Sequence, residues 1–238
     1  MQYLGGKSRI SKQISEIINK YSAEKPFVSL FCGTASVESK VVSKSKQLND
    51  KHEYLIALLK EVQKGWNIPD VVSKEEYYKV KVNLDENKAL SGFVGFACSF
   101  GGKWWGGYAK NNSGTNYAKQ SKNSLLKKMA TLSLSDTKFY NVDYRDVPIE
   151  EGSVVYCDPP YKGTTGYSNS GQFNHDEFWE YVRKLSEKNI VFVSEISAPE
   201  DFVSVWEKPF KRVLDVNKDN IFKSMEKLYI HKSQANKM

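Results

Sequence analysis

The amino-acid sequence predicts an α/β domain, a largely parallel sheet covered by helices on both faces and interrupted by one mostly helical insertion. Three observations predict it. Short apolar runs alternate with stretches of helical periodicity, the pattern that β–α–β units leave in a chain. Three of the runs end at Gly33, Asp50 and Asp158, and ligands of such sheets bind beyond the carboxyl ends of the strands. Between Trp66 and about Asp136 the strand signals vanish and charged helical stretches take their place.

Ile10, Ile14, Ile17, Ile18 and Tyr21 recur at helical spacing, so residues 8–21 read as an amphipathic helix, which Pro26 closes off. Phe27-Val28-Ser29-Leu30-Phe31 reads as a buried strand that stops at Gly33, with a helix expected over residues 36–45. Leu48-Asn49-Asp50 ends a second strand, and Tyr54, Leu55, Leu58, Leu59 and Val62 mark a helix that stops near Gly65. Residues 73–82 and 116–130 read as helices flanking a loop rich in Gly, Trp and Asn. Strands resume at 138–140 and 154–157. Asn174 reads as a helix N-cap with Glu177 completing a capping box. A strand at 190–193 and a closing pair at 212–216 and 228–231 end the pattern.

At 238 residues, 40% hydrophobic, the chain suits one domain, or one domain with a sizeable insertion, around a real core. No run approaches a membrane span, and Met1 to Ile10 has no signal-peptide core, so a cytoplasmic protein is expected. Cys32, Cys98 and Cys157 are odd in number and far apart, which implies no disulfide framework. His52, His175 and His231 pair with no ligand at metal spacing, so no metal is expected. The net charge is 35 − 28 = +7, and six lysines (Lys103, Lys110, Lys119, Lys122, Lys127, Lys128) lie between Gly101 and Ala130 without one acid. This segment is a solvated surface or a phosphate-contacting patch; the aromatic and amide residues mixed into it favour the patch.

Asp158-Pro159-Pro160-Tyr161, directly after an apolar strand, carries the strongest chemical signal. The exocyclic amino group of adenine is a poor nucleophile because its lone pair is delocalised into the ring. Two acceptors that bind its two protons would free that lone pair. Asp158 offers a carboxylate, Pro159 a backbone carbonyl, the prolines fix both, and Tyr161 offers a ring on which an extruded base can stack. A turn that merely closes the strand would use the same residue types. Phe31-Cys32-Gly33-Thr34-Ala35-Ser36-Val37-Glu38 places a glycine where a bound nucleoside approaches the backbone, and Asp50 follows at the distance of a ribose-binding acid. Asp50 also suits a helix N-cap, and the two roles are compatible. Gly6-Lys7-Ser8 ends like a phosphate-binding loop, but the leading glycine would fall at Met1 and no strand precedes it.

In combination, Tyr3 to Lys7, Phe31 to Val37, Leu48-Asn49-Asp50 and Asp158 to Tyr161, in that order, resemble the Dam-type (D12 class) DNA adenine methylase family. The motif order is similar to the alpha arrangement of amino-methyltransferases, and Ser99 to Asn112 resembles small, phage-type members. The resemblance implies a Rossmann-like methyltransferase sheet that uses S-adenosylmethionine and releases S-adenosylhomocysteine. It implies residues 1–65 and 137–238 as the catalytic domain and 66–136 as a target-recognition subdomain. Tyr3, Gly6 and Lys7 would frame the methionine end of the cofactor, and Phe31, Gly33 and Ala35 its turn. Asp50 would hold the ribose, and Asp143 and Tyr144 would flank the adenine, with Asp146 competing for the role of Asp143. Asp158, Pro159, Pro160 and Tyr161 would be catalytic.

Lys103 and Lys110 suit DNA phosphates, Trp104, Trp105 and Tyr108 suit stacking or wedging, Asn111 and Asn112 suit adenine edges, and Tyr167 suits closure over the substrate. Both tryptophans also suit the core of the subdomain. Ala35 departs from the family, which usually has a second glycine there, and no family DNA-reading hairpin matches residues 90–130. The expected partner is double-stranded DNA, the expected state a monomer or weak dimer, and restriction–modification is one setting for the activity. The alternatives are another amino acceptor (cytosine N4, RNA or a protein amide) and a catalytically dead relative that only binds DNA.

Overall fold

A computed structural model describes residues 1–132, 136–161, 173–213 and 221–237; for 210–213, 221–224 and 236–237 it describes the backbone alone. Seven strands form one sheet: β1 (Pro26–Ser29), β2 (Ser45–Asn49), β3 (Thr137–Tyr140), β4 (Val154–Cys157), β5 (Ile190–Glu195), β6 (Phe202–Val213) and β7 (Ile221–His231), in the order β3-β2-β1-β4-β5-β7-β6. The first five are parallel; β7 runs antiparallel to β5 and to β6. The chain leaves β1 toward one edge and returns to β4 on the other side of β1. The switch point of the sheet, where such folds bind ligands, therefore lies between β1 and β4.

Strand alternation builds two cores. Phe27, Val154, Tyr156, Ile190 and Phe192 face one side with Ile14 and Ile18 of α1 (Ser11–Ser22) and Leu55, Leu58 and Leu59 of α2 (Glu53–Gln63). Val28, Val155, Cys157, Val191 and Val193 face the other with Phe178 and Val182. Burial on both faces is why these strands read as nearly continuous apolar runs.

Between α2 and β3 lie α3 (Lys74–Val82), α4 (Lys88–Ala97) and α5 (Tyr117–Thr131). Ser73 and Glu76 cap α3 reciprocally, and Ala118, Ser121, Leu125 and Met129 give α5 its buried stripe. Phe93 and Phe96 of α4 join the first core. α4 falls in the stretch expected to be a loop. Its two glycines break the helical signal, and packing requires both: a Cβ on Gly92 would stand 2.1 Å from the Tyr54 carbonyl oxygen, and one on Gly95 2.3 Å from the Trp104 ring.

Three other expectations change. The helix over 36–45 is only a 3₁₀ turn, Glu38–Lys40, because Glu38 turns inward to accept from Ser29 Oγ at 2.7 Å and Val41 is extended. The capping box at 174–177 is half formed: Asn174 Oδ1 accepts from the Asp176 and Glu177 amides, while Glu177 takes the Asn174 side-chain amide instead of its backbone. The closing pair is longer and differently registered; Phe202 pairs with His231 and Arg212 with Phe222, and 214–216 lie outside the described residues. The α6 helix (His175–Lys188) follows the cap. Among the described residues no helix is long and apolar enough to cross a membrane.

Candidate active site

A cleft of about 2370 Å³ opens over the carboxyl ends of β1, β2 and β4, and the N-terminal segment, Trp104, the middle of β6 and β7 and one side of α5 complete its walls. The turn after β1 bends through two left-handed residues, Gly33 at φ +50° and Ala35 at φ +53°. Gly33 donates its N–H to Asp50 Oδ2 at 2.9 Å, and a Cβ there would stand 3.2 Å from the Tyr3 ring. Ala35 is fully buried in a conformation that favours glycine. Lys128 reaches over from α5 and donates to Thr34 O (3.1 Å), Thr34 Oγ1 (2.9 Å) and Ser36 Oγ (2.7 Å). Burial pulls the Lys128 ammonium down to about 8. Burial likewise pushes Glu38, beneath the turn, up to about 7.

The loops after β2 and β3 are tied together. Asn49 Nδ2 donates to Leu30 O and Val142 O, and Asn141 Nδ2 to Asp50 O and Lys51 O. Asp50 accepts from the amides of Gly33 and His52, so it bridges two loops, while His52 itself occupies the N-cap of α2. Burial raises the pKa of Asp50. Asp143 lines the cleft, bound to Arg145 Nε at 2.8 Å with Lys51 at 3.6 Å; Asp146 is exposed and does not line it. Hydrogen bonding to Arg145 holds the Asp143 carboxyl below its ordinary range. Phe31, Tyr144 and Phe173 form an aromatic corner beside it, with ring centres 5.4 to 5.9 Å apart.

Asp158 stands at the end of β4 on the cleft wall. Lys7 Nζ lies 2.7 Å from its Oδ1 and 3.5 Å from Glu226 Oε1, and Tyr161 donates its hydroxyl to the same Glu226 oxygen. Lys7 also sits 4.5 Å from the centre of the Tyr161 ring. Its contact with Asp158 is a close ion pair, and Asp158 Oδ1 is buried beneath it. Burial pushes the Asp158 carboxyl up to about 6, against the pull of Lys7 and with a push from Glu226. Burial opposes the charge on Lys7, but Asp158 and Glu226 outweigh it and its pKa is raised. Sequence reasoning missed Glu226. The signal for it was strand parity, since it alternates in step with Leu228 and Ile230, both buried.

The N-terminal segment holds Lys7 in place. Leu4 donates its amide to Gly102 O at 3.1 Å, Gly6 closes a turn onto Tyr3 O at 3.0 Å, and the Tyr3 ring rests on Phe96. Gly102, at φ +68°, has no room for a side chain, because a Cβ would lie 2.6 Å from the Tyr3 amide.

The residues expected to meet DNA divide. Lys103 and Lys110 are exposed, as is Asn112, and Lys103 and Trp104 line the cleft. Trp104 stacks on Tyr54 at 5.3 Å and meets His52 edge-on. Trp105 packs on Tyr77, its indole N–H buried without an acceptor among the described residues, and Tyr108 gives its hydroxyl to Val72 O. Asn111 uses both ends of its amide on Thr115. Tyr167 lies outside the described residues. Two of the six lysines are committed inside the protein: Lys128 to the turn, Lys122 to Asp70 and Asn67. Phe100, not singled out by the sequence, is 73% exposed on the turn before Lys103.

These parts suit a nucleoside bearing a cationic tail. A left-handed glycine lets it approach the backbone, Asp50 and Asp143 offer acceptors, the aromatic corner offers rings of a size to stack on a purine, and Asp158 stands on the same wall paired with Lys7. Among the described residues no His, Cys, Asp and Glu side chains group as metal ligands.

Among solved structures, the rRNA methyltransferase AviRa of Streptomyces viridochromogenes is 12% identical, with 97% of this chain and 87% of that chain covered and a TM-score of 0.46. A conserved hypothetical protein of Streptococcus pyogenes is 11% identical, with 94% and 96% covered and a TM-score of 0.42. No curated protein matches the sequence. Residues 3–95 and 105–193 match the D12 class N6 adenine-specific DNA methyltransferase family. That match takes in the turn after β1, the Asp50 loop and the Asp158 tetrapeptide on a Rossmann-like sheet, and the chain belongs to this family of S-adenosylmethionine-dependent methyltransferases.

Proposed function

We propose that the protein methylates the exocyclic N6 amino group of an adenine swung out of double-stranded DNA, at a defined sequence. The observation that carries this reading is Asp158. Its carboxylate lies on the wall of the cleft directly after β4, held by Lys7 through Oδ1, and the rigid Pro159-Pro160 pair and the Tyr161 ring follow it along the same wall. Asp158 and the Pro159 carbonyl accept the two amino protons and free the nitrogen lone pair; Tyr161 stacks on the base. Gly33, Ala35 and Phe31 shape the turn for S-adenosylmethionine, Asp50 takes its ribose, Asp143 and Tyr144 flank its adenine, and Tyr3, Gly6 and Lys7 frame its methionine end. When bound, that group supplies an electrophilic sulfonium methyl.

Residues 66–136 serve as the target-recognition region. Lys103 and Lys110 suit phosphates there, Asn112 a base edge, and exposed Phe100 a wedge beside the cleft mouth.

The test is transfer of tritiated methyl groups to unmethylated DNA, then nucleoside analysis and single-molecule sequencing. N6-methyladenine in one sequence context is expected, with Asp158→Ala abolishing turnover while DNA binding persists. Methylcytosine, methylated RNA, or an active Asp158→Ala protein would sink the reading.

A further inference from the structure

Lys7 occupies both features that the target base needs. Its ammonium stands 2.7 Å from Asp158 Oδ1 and covers the Tyr161 ring at 4.5 Å. An entering amino group finds its acceptor taken and its stacking face covered. Withdrawing a buried ammonium from its anion is costly unless a second anion receives it. Glu226 is that anion. It is buried on β7, its Oε1 lies 3.5 Å from the same ammonium, and it accepts the Tyr161 hydroxyl, which fixes it beside the ring. An inward-facing acid on a strand is a burden to stability without such a partner. Glu226 lies beyond the stretch matched to the family.

We propose that Glu226 is a positioning residue that draws Lys7 off Asp158 as the base enters, and so presents Asp158 and the Tyr161 face to adenine. The inference rests on the amino-methylation reading. No bond to carbon is made or broken in this step; one ammonium changes carboxylate. Among the described residues Asp158 faces Lys7, Glu226, Asp50, Glu38, Tyr156 and Tyr161.

Glu226→Gln keeps an acceptor for Tyr161 and removes the charge. Its kcat should fall roughly ten- to a hundredfold, with S-adenosylmethionine affinity and melting temperature nearly unchanged. Asp158 must be ionised to accept the amino protons, so the rate rises with pH through about 6 in the native protein. Without the like charge of Glu226 this acid limb moves to lower pH, which a merely loosened fold would not produce. In a Lys7→Met background the ammonium is gone, and Glu226→Gln should cost no further rate. Glu226→Asp should recover much of the native rate. A native kcat and acid limb in Glu226→Gln, or the same loss with and without Lys7, would overturn the proposal. If the Gln variant does not fold, Glu226→Asp carries the comparison: partial loss with Lys7 present and none without it is expected, and equal loss in both overturns the idea. A native protein that forms no methyladenine would instead sink the amino-methylation reading.

Discussion

The ammonium of Lys128 donates to both the carbonyl and the hydroxyl of Thr34, and so ties α5 to the turn after β1. Desolvation of a buried lysine offsets the hydrogen bonds it makes, so the net effect on folding is small. The effect on the shape of the turn is not. Lys128→Met should leave the melting temperature within a few degrees while weakening S-adenosylmethionine binding roughly fivefold to tenfold, as expected for about one ordinary hydrogen bond's worth of preorganisation. Calorimetric titration decides it. Unchanged cofactor affinity with a flattened salt dependence of DNA binding would make Lys128 a phosphate ligand instead.

Ala35 sits at φ +53°, fully buried. The left-handed region costs a residue with a Cβ about 1–2 kcal/mol, and the extra freedom of glycine in the unfolded chain returns part of any gain. Ala35→Gly should therefore stabilise the protein by about 0.5–1 kcal/mol, a rise of roughly 1–4 °C in melting temperature. A fall in melting temperature would mean that the buried methyl group contributes more than the strain costs.

Gly95→Ala should destabilise by about 1–3 kcal/mol through overpacking. The added methyl would stand 2.3 Å from the Trp104 ring, which backs onto Phe96 and His52 and cannot simply retreat. Because Trp104 lines the cleft, activity should fall as well. Trp104→Leu in the Gly95→Ala background should restore part of the stability, a coupling that thermal melts of the four proteins would read. Additive losses would show that the two residues do not share this space.

How much of this was legible in the sequence follows from what each residue touches. β1, β4 and β5 announced themselves because both of their faces are buried, so most of their positions are apolar. Asp158 was visible as an acid ending such a strand, and Asp50 as an acid after the shorter Leu48-Asn49 signal of β2. α4 was hidden because contacts with distant residues, Tyr54 and Trp104, demand glycines that local pattern reads as loop. The expected helix after Gly33 failed for the same kind of reason, since Glu38 answers to Ser29 on a neighbouring strand rather than to its own turn. The fate of Lys128 depends on a contact across 94 residues, and no spacing rule separates it from its exposed neighbour Lys127.

That division of the lysines separates candidate phosphate contacts from structural ones. Lys103, Lys110, Lys119 and Lys127 are exposed, whereas Lys122 is paired with Asp70 at 3.3 Å and Lys128 is bound to the turn. A lysine on a phosphate releases about one counterion, so each Gln substitution among exposed lysines that touch DNA should reduce the slope of log affinity against log salt by roughly one unit. Lys122→Gln and Lys128→Gln should leave that slope unchanged. Phe100→Ala should behave differently again: an apolar wedge carries no charge, so affinity falls by a similar factor at every salt concentration. Filter binding at several salt concentrations separates the three classes. Equal slopes for Lys103→Gln, Lys110→Gln and the native protein would remove residues 103–110 from the phosphate contacts of the DNA interface.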